Sequence, residues 1–173
     1  MKIITYETED DAISPDWEGN LRRILGQAGM RDLEVTRAPD ELRDLLTNWN
    51  GTDDLVMLFA EYQKLDTRHT RLFISSPNQE KYKVFCESII EHAKWGCCFS
   101  EVVAVDYSRV EDRLTTQLHE TLHLFGVDDC YHPESTRALD SCDDDECLMR
   151  YGENSTTVCS HVLSQVATYK PGQ

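Results

Sequence analysis

The stretch His119-Glu120-Thr121-Leu122-His123-Leu124-Phe125-Gly126-Val127-Asp128-Asp129-Cys130 decides how the rest of the chain is read. Histidines four residues apart fall on one face of a helix, one turn from each other, so both imidazoles can reach a single ion. Zinc suits two neutral imidazoles and leaves positions for a third ligand and a water molecule. Glu120, beside the first ligand, is placed to take a proton from a water that such an ion acidifies. An amphipathic helix carrying two histidines by chance would show the same five residues, so the residues that follow matter. Gly126 can end the helix in a left-handed turn. The chain then doubles back, and the side chain of Asp129 can face the metal. Asp128 serves instead if the turn shifts by one, and Cys130 and His132 are also close in sequence.

Working outward, residues 110–125 read as one long helix, with Val110, Leu114, Leu118, Leu122 and Phe125 as its core-facing row. Upstream, strand-like and helix-like patterns alternate. Residues 2–6 form a β-rich run, and 17–25 have helical spacing with Trp17, Leu21, Ile24 and Leu25 on one side. Residues 33–36 are a short strand. A helix opens at Pro39, carries Leu42, Leu45, Leu46 and Trp49 inward, and stops at Asn50-Gly51. Residues 55–62 read as a buried strand and 71–75 as another. Residues 80–95 form a helix with Val84, Phe85, Ile89, Ile90 and Ala93 turned inward, stopped by Gly96, and 102–107 are the last strand before the histidines. This succession predicts an α/β (α+β) fold: a twisted mixed sheet covered by helices. A final amphipathic stretch, 158–169, docks as a C-terminal helix.

The totals narrow the partners. Asp and Glu number 32 against 17 Lys and Arg, a net charge of -15. Such a chain is repelled by nucleic acid and by anionic membrane surfaces. The surplus serves solubility, or adaptation to high salt, toward which the low lysine share also leans. No stretch approaches the roughly 18 apolar residues of a membrane span. The opening MKIITYETED reads as a first strand and not as a signal peptide, with no pro-segment expected before the domain. The expectation is a cytoplasmic protein made without an attached inhibitor, its oligomeric state unreadable. Its 7 cysteines are many for such a compartment, where thiols and metal ligands are favoured over disulfides. Cys86 reads as a small buried hydrophobe, and the adjacent Cys97 and Cys98 do not share one metal.

Residues 127–159 hold Cys130, Cys142, Cys147 and Cys159, an acidic run at 143–146, and little periodicity. Four thiolates suit a closed tetrahedral structural zinc, which would supply the folding energy this section lacks. Two disulfides, or free thiols, are the other readings. The acidic run reads as a solvated loop that can also hold calcium weakly or repel acidic substrates.

The string HExxHxxGxx followed by a ligand resembles the metzincin signature, and metzincins are zinc peptidases. Most carry histidine as third ligand; Asp129 at that place is similar to the snapalysin branch. Cys130 directly after it, and Cys142-DDDE-Cys147-Leu-Met149 further on, resemble archaemetzincins, small cytoplasmic members of the family. The resemblance covers roughly residues 110–160, and the N-terminal half only by the order of its elements. It implies a single catalytic domain over 1–173, with an N-terminal part, 1–126, that ends in the active-site helix and a small cysteine-rich C-terminal part, 127–173. It makes Met149 the methionine of a Met-turn, a soft floor under the histidines. It makes Tyr151 either a swinging ligand that steadies an oxyanion, as in the astacin and serralysin branches, or a packing residue. It also implies a cleft in which an extended peptide pairs with an edge strand, for which 71–75 is the candidate. The chain departs from archaemetzincins in two ways. Residues 130–141 lengthen the gap before the second cysteine, and the downstream Cys-x-x-Cys is reduced to Cys159, with His161 nearby.

The expected activity is peptide hydrolysis with one catalytic zinc on His119, His123 and Asp129, Glu120 as general base, and a second zinc on the four cysteines. The substrate is a peptide or protein. An aspartate ligand lowers the charge of the site and predicts a somewhat raised activity pH. The alternative is a zinc-stabilised binding module that keeps the fold without turnover. The changed third ligand favours that alternative, and the intact Glu120 argues against it.

Overall fold

A computed structural model describes residues 1–9, 12–51, 55–63, 70–76, 80–89, 96–105, 113–131, 139–150 and 155–170. The elements run β1 (Lys2–Glu7), α1 (Trp17–Gln27), β2 (Glu34–Arg37), α2 (Asp40–Asn48), α3 (Leu55–Gln63), β3 (Thr70–Ser75), α4 (Glu80–Ile89), β4 (Gly96–Phe99), β5 (Val102–Val105), α5 (Arg113–His123) and α6 (Ser160–Thr168). The five strands form one mixed sheet in the order β2-β1-β3-β5-β4. Strands β1, β2, β3 and β5 pair in parallel, and only β4 runs antiparallel, against β5. The expected α/β architecture with a helix-covered mixed sheet is therefore present.

Alternation along the strands sends apolar side chains to both faces. Ile3, Phe73, Val103 and Val105 join α1, α5 and α6 in one core. Ile4, Tyr6, Leu72, Ile74, Val102 and Ala104 join residues of α2, α3 and α4 in the other. In α1 the buried residues are Trp17, Leu21, Ile24 and Leu25, the stripe its spacing predicts. Trp17 stacks on Phe73, with ring centroids 4.7 Å apart. It also donates from its indole nitrogen to Thr121 Oγ1 at 3.2 Å, fastening α1 to the helix of the histidines. No helix among the described residues is long and apolar enough to cross a membrane.

Four local expectations need correction. Residues 55–62 form helix α3, not a strand. The run is apolar on both sides, so its period is ambiguous, but burial of Leu55 and Phe59 with Met57 exposed is helical spacing. In α2, Leu45 is exposed while Leu42 and Leu46 are buried, and in α4 Val84 is exposed while Tyr82, Phe85 and Cys86 face the core. The rest of each expected face that is described holds, with Leu42, Leu46, Trp49 and Phe85 buried. Strand β3 is central and wholly buried, so it is not the edge. Its polar Arg71 is accommodated by Glu101 at 3.3 Å and by the Tyr169 hydroxyl at 2.6 Å. The described free edges are β2 and β4. Finally, Cys86 is not a simple hydrophobe, because it forms a disulfide with Cys97 across a Cα–Cα distance of 5.3 Å. This pair also breaks the expectation that the cysteines stay reduced. Val110, Ile90, Ala93 and Tyr107 lie outside the described residues, as do residues 90–95 of the expected 80–95 helix.

Candidate metal centre

Helix α5 turns Thr115, Gln117, Leu118, Thr121 and Leu122 to the core, which leaves His119 and His123 together on the opposite, half-buried side. Its rear is held by a buried polar network. Gln117 Oε1 accepts from the Ser14 backbone N–H at 2.9 Å, and Gln117 Nε2 donates to Ala12 O at 2.8 Å and Ser75 Oγ at 3.0 Å. The helix closes through short i to i−3 bonds, ending with Gly126 N to His123 O at 3.0 Å. Gly126 then takes φ +69, the left-handed conformation that reverses the chain.

The reversal brings Asp129 Oδ1 to 3.1 Å from His119 Nε2 and 3.7 Å from His123 Nε2. The opposite ring nitrogens meet backbone carbonyls: His119 Nδ1 lies 3.1 Å from Leu148 O, and His123 Nδ1 lies 2.7 Å from Val127 O. A carbonyl only accepts, so each Nδ1 must carry the proton, and each neutral imidazole turns the Nε2 lone pair into the site. With the facing Nε2 atoms unprotonated, Asp129 Oδ1 is buried and has no hydrogen-bond partner among the described residues. Three acceptor atoms thus converge on one point, an arrangement that is repulsive unless a cation or a proton lies between them. These residues can hold a metal ion. Asp128 does not compete, since it is exposed and engaged by Gln165 Nε2 at 2.9 Å. Cys130 turns away into a separate group of thiols, and His132 lies outside the described residues.

Charge in this pocket is strongly coupled. Burial works against a charged His119, but the Asp129 and Glu120 carboxylates more than offset it and raise its pKa to about 9. Burial also works against a charged Asp129, yet the two histidines and a hydrogen bond from Tyr131 hold it below the usual carboxylate range. Glu120 is pushed upward, first by burial and then by Asp129. Its side chain lies against the edge strand at Gly96, where a Cβ would approach Glu120 Cγ to 2.9 Å. The nearby Cys98 thiol is pushed up to about 12 by burial and by Glu120, so it is protonated and a poor nucleophile.

The second group is sulfur. Cys130, Cys142, Cys147 and Cys159 offer ligand atoms that all lie within 4.8 Å of one another. The Cys130 and Cys159 sulfurs are 3.7 Å apart, and those of Cys130 and Cys147 are 3.9 Å apart. A tetrahedral site with metal–sulfur bonds of ~2.3 Å needs sulfur separations of about 3.8 Å, against ~2.05 Å in a disulfide. All four are free cysteines. The Cys147 thiol is lowered to about 5, chiefly by its hydrogen bond with Cys130, while burial raises Cys159 to about 11. The donor set therefore fits a thiophilic cation. The acidic run beside it is not merely solvated: Asp143 receives Ser160 N at 3.1 Å and Ser160 Oγ at 2.7 Å at the start of α6, and Asp145 pairs with Arg150.

Met149 is fully buried in the core that includes Cys130, Cys147 and α5. Tyr151 lies outside the described residues. Sequence reasoning missed Leu148 and Val127, which act through backbone oxygens that any residue supplies, and Gly96, which reads as a helix stop. A comparison with protein-family models and with curated proteins finds no match for the chain.

Proposed function

We propose that this chain is a zinc-dependent peptidase of the metzincin kind, with an archaemetzincin-like second zinc. The carrying observation is the convergence of His119 Nε2, His123 Nε2 and Asp129 Oδ1, with Glu120 on the same helix turn. A borderline-soft ion suits this His, His and Asp set, and the four thiols suit zinc in a closed structural site. Zinc bound at the first site would polarise a peptide carbonyl and acidify a water molecule.

The chain's own residues supply the rest. Glu120, whose pKa burial raises above the usual carboxylate value, would take a proton from the water and pass it to the leaving amine. The carbonyls of Leu148 and Val127 hold the imidazoles in the ligating tautomer. Among the described residues no strand pairs with the outer edge of β4 beside Glu120, so an extended peptide can add to the sheet there by main-chain pairing. This replaces 71–75 as the pairing strand. Met149 takes the Met-turn position in this reading.

The test is Glu120→Gln on metal-replete protein with a mixed peptide substrate. Turnover should fall by about 10² to 10⁴, the usual worth of a general base, with metal content unchanged. His119→Ala should carry one zinc fewer per chain. Wild-type protein that binds peptides without cleaving them, and a Glu120→Gln variant that binds them identically, would make the chain a zinc-stabilised binding module instead.

A further inference from the structure

The two candidate metal groups share one piece of backbone. Asp129 is followed directly by Cys130, and Cys130 N donates to Met149 O at 2.8 Å. Leu148, whose carbonyl faces His119 Nδ1, stands between Cys147 and Met149. The segments that carry these residues have little regular structure of their own. Among the described residues of 127–159, strand-like pairing is limited to the Cys147–Thr157 bridge, with Leu148 N to Thr157 O at 2.8 Å, and the rest is turns and irregular backbone. Cys159 N also donates to Cys147 Sγ at 3.4 Å, tying the start of α6 to the same knot. The sulfurs therefore join the Asp129 segment to the Leu148 segment alongside the single Cys130–Met149 backbone bond and the apolar packing of Val127, Leu148 and Met149.

We propose that the four-thiol site assembles the His119–His123–Asp129 site, so that a cation on the sulfurs raises the affinity of the second site for zinc. This coupling rests on the metal-site reading above and goes beyond it. Gathering Cys130 and Cys147 around one ion fixes two things together: where the Asp129 carboxylate stands and where the Leu148 carbonyl meets His119. A ligand on a loose segment must be ordered when the ion binds, which weakens binding. Loss of an outer-shell partner of a metal-bound histidine costs about 10- to 100-fold in affinity. Cys130 and Cys147 act here as positioning residues for the histidine site, since they belong to the thiol group and not to the His119–His123–Asp129 group. The coupling is between binding equilibria, so it must be reciprocal: zinc at the histidines raises the affinity of the thiols by the same factor.

Cadmium, a soft cation, marks the thiol site through its sulfur-to-metal absorption. The full chain is stripped of metal and titrated with zinc against a chromophoric chelator, with and without prior cadmium. Zinc should bind the histidine site about 10- to 100-fold more tightly after cadmium loading. Cys142→Ser, which alters neither Asp129 nor Leu148, should show the weaker affinity whether or not cadmium is added. Should that variant fail to fold, the reciprocal measurement on unmutated protein decides: cadmium affinity should rise with zinc present, and this rise should vanish in Asp129→Ala, whose thiols are intact. Cadmium and zinc that both bind, each with an affinity unchanged within about twofold by the other, would overturn the coupling and leave the peptidase reading standing. Cadmium binding with no zinc taken up at the histidines in any form would overturn both.

Discussion

Gly96 stands against Glu120 with no room for a methyl group: a Cβ there would lie 2.9 Å from Glu120 Cγ and 2.9 Å from the carbonyl oxygen of Ala104. The Ala104 oxygen belongs to the paired strand β5 and cannot move cheaply, so the side chain of Glu120 must give way. Gly96→Ala should cost about 1–3 kcal/mol in denaturant unfolding, the usual range for overpacking. A proton acceptor displaced by about 1 Å loses on the order of 10²-fold in rate. On the proposed peptidase reading, turnover should fall by that order with metal content unchanged. A variant with wild-type turnover would show that Glu120 does not need its place against the edge strand.

The histidine site should release a proton when it takes up zinc. His119 carries a pKa of about 9 in the pocket, raised above its ordinary value by Asp129 and Glu120 against the opposing effect of burial. Zinc binds only the neutral imidazole. Below about pH 9 the ion must therefore expel a proton, and its apparent affinity should fall about tenfold for each pH unit descended. Above that pH the dependence on His119 disappears. Calorimetric titration at pH 7 in two buffers of different ionisation heat should show close to one proton released from this site. A zinc affinity at the histidine site that stays level between pH 6 and 8 would contradict it.

Much of this arrangement can be read from side-chain spacing. The α1 stripe, the two histidines on one face of α5, the left-handed Gly126 and the return of Asp129 all follow from periodicities of helix and turn. The rest depends on groups that spacing does not carry. Helix α3 is not legible as a helix because an apolar run without alternation has no period to detect. The partners of His119 and His123 are carbonyl oxygens of Leu148 and Val127, and a backbone oxygen leaves no mark in a sequence. The Cys86–Cys97 bond joins α4 to β4 within a single core, a meeting set by tertiary packing.

Gln117 explains how the metal helix keeps its rotation about its own axis. It is fully buried, and its amide serves Ser14 N–H, Ala12 O and Ser75 Oγ together. Gln117→Leu keeps most of the volume and leaves the Ser14 N–H without this acceptor, while Ala12 O still receives Ser75 Oγ at 2.9 Å. One orphaned buried donor, with the lost amide bonds, should cost about 2–4 kcal/mol in urea unfolding of the metal-loaded protein. A loss under about 0.5 kcal/mol would show that the network is replaced by water at no expense.

The Cys86–Cys97 bond fastens α4 to β4, the strand whose first residue borders Glu120. The two cysteines are 11 residues apart in sequence. Closing a loop of that length removes unfolded-state entropy worth about 3 kcal/mol. Wild-type protein should therefore lose about that much stability when treated with a phosphine reductant that does not bind zinc. A variant carrying both Cys86→Ala and Cys97→Ala should be equally stable with and without the reductant. Because β4 is an edge strand that pairs only with β5 among the described residues, its amides at residues 96–99 should also exchange faster once the bond is open. Equal unfolding midpoints for oxidised and reduced wild type would mean that apolar packing of α4 on β4 holds the edge without the bond.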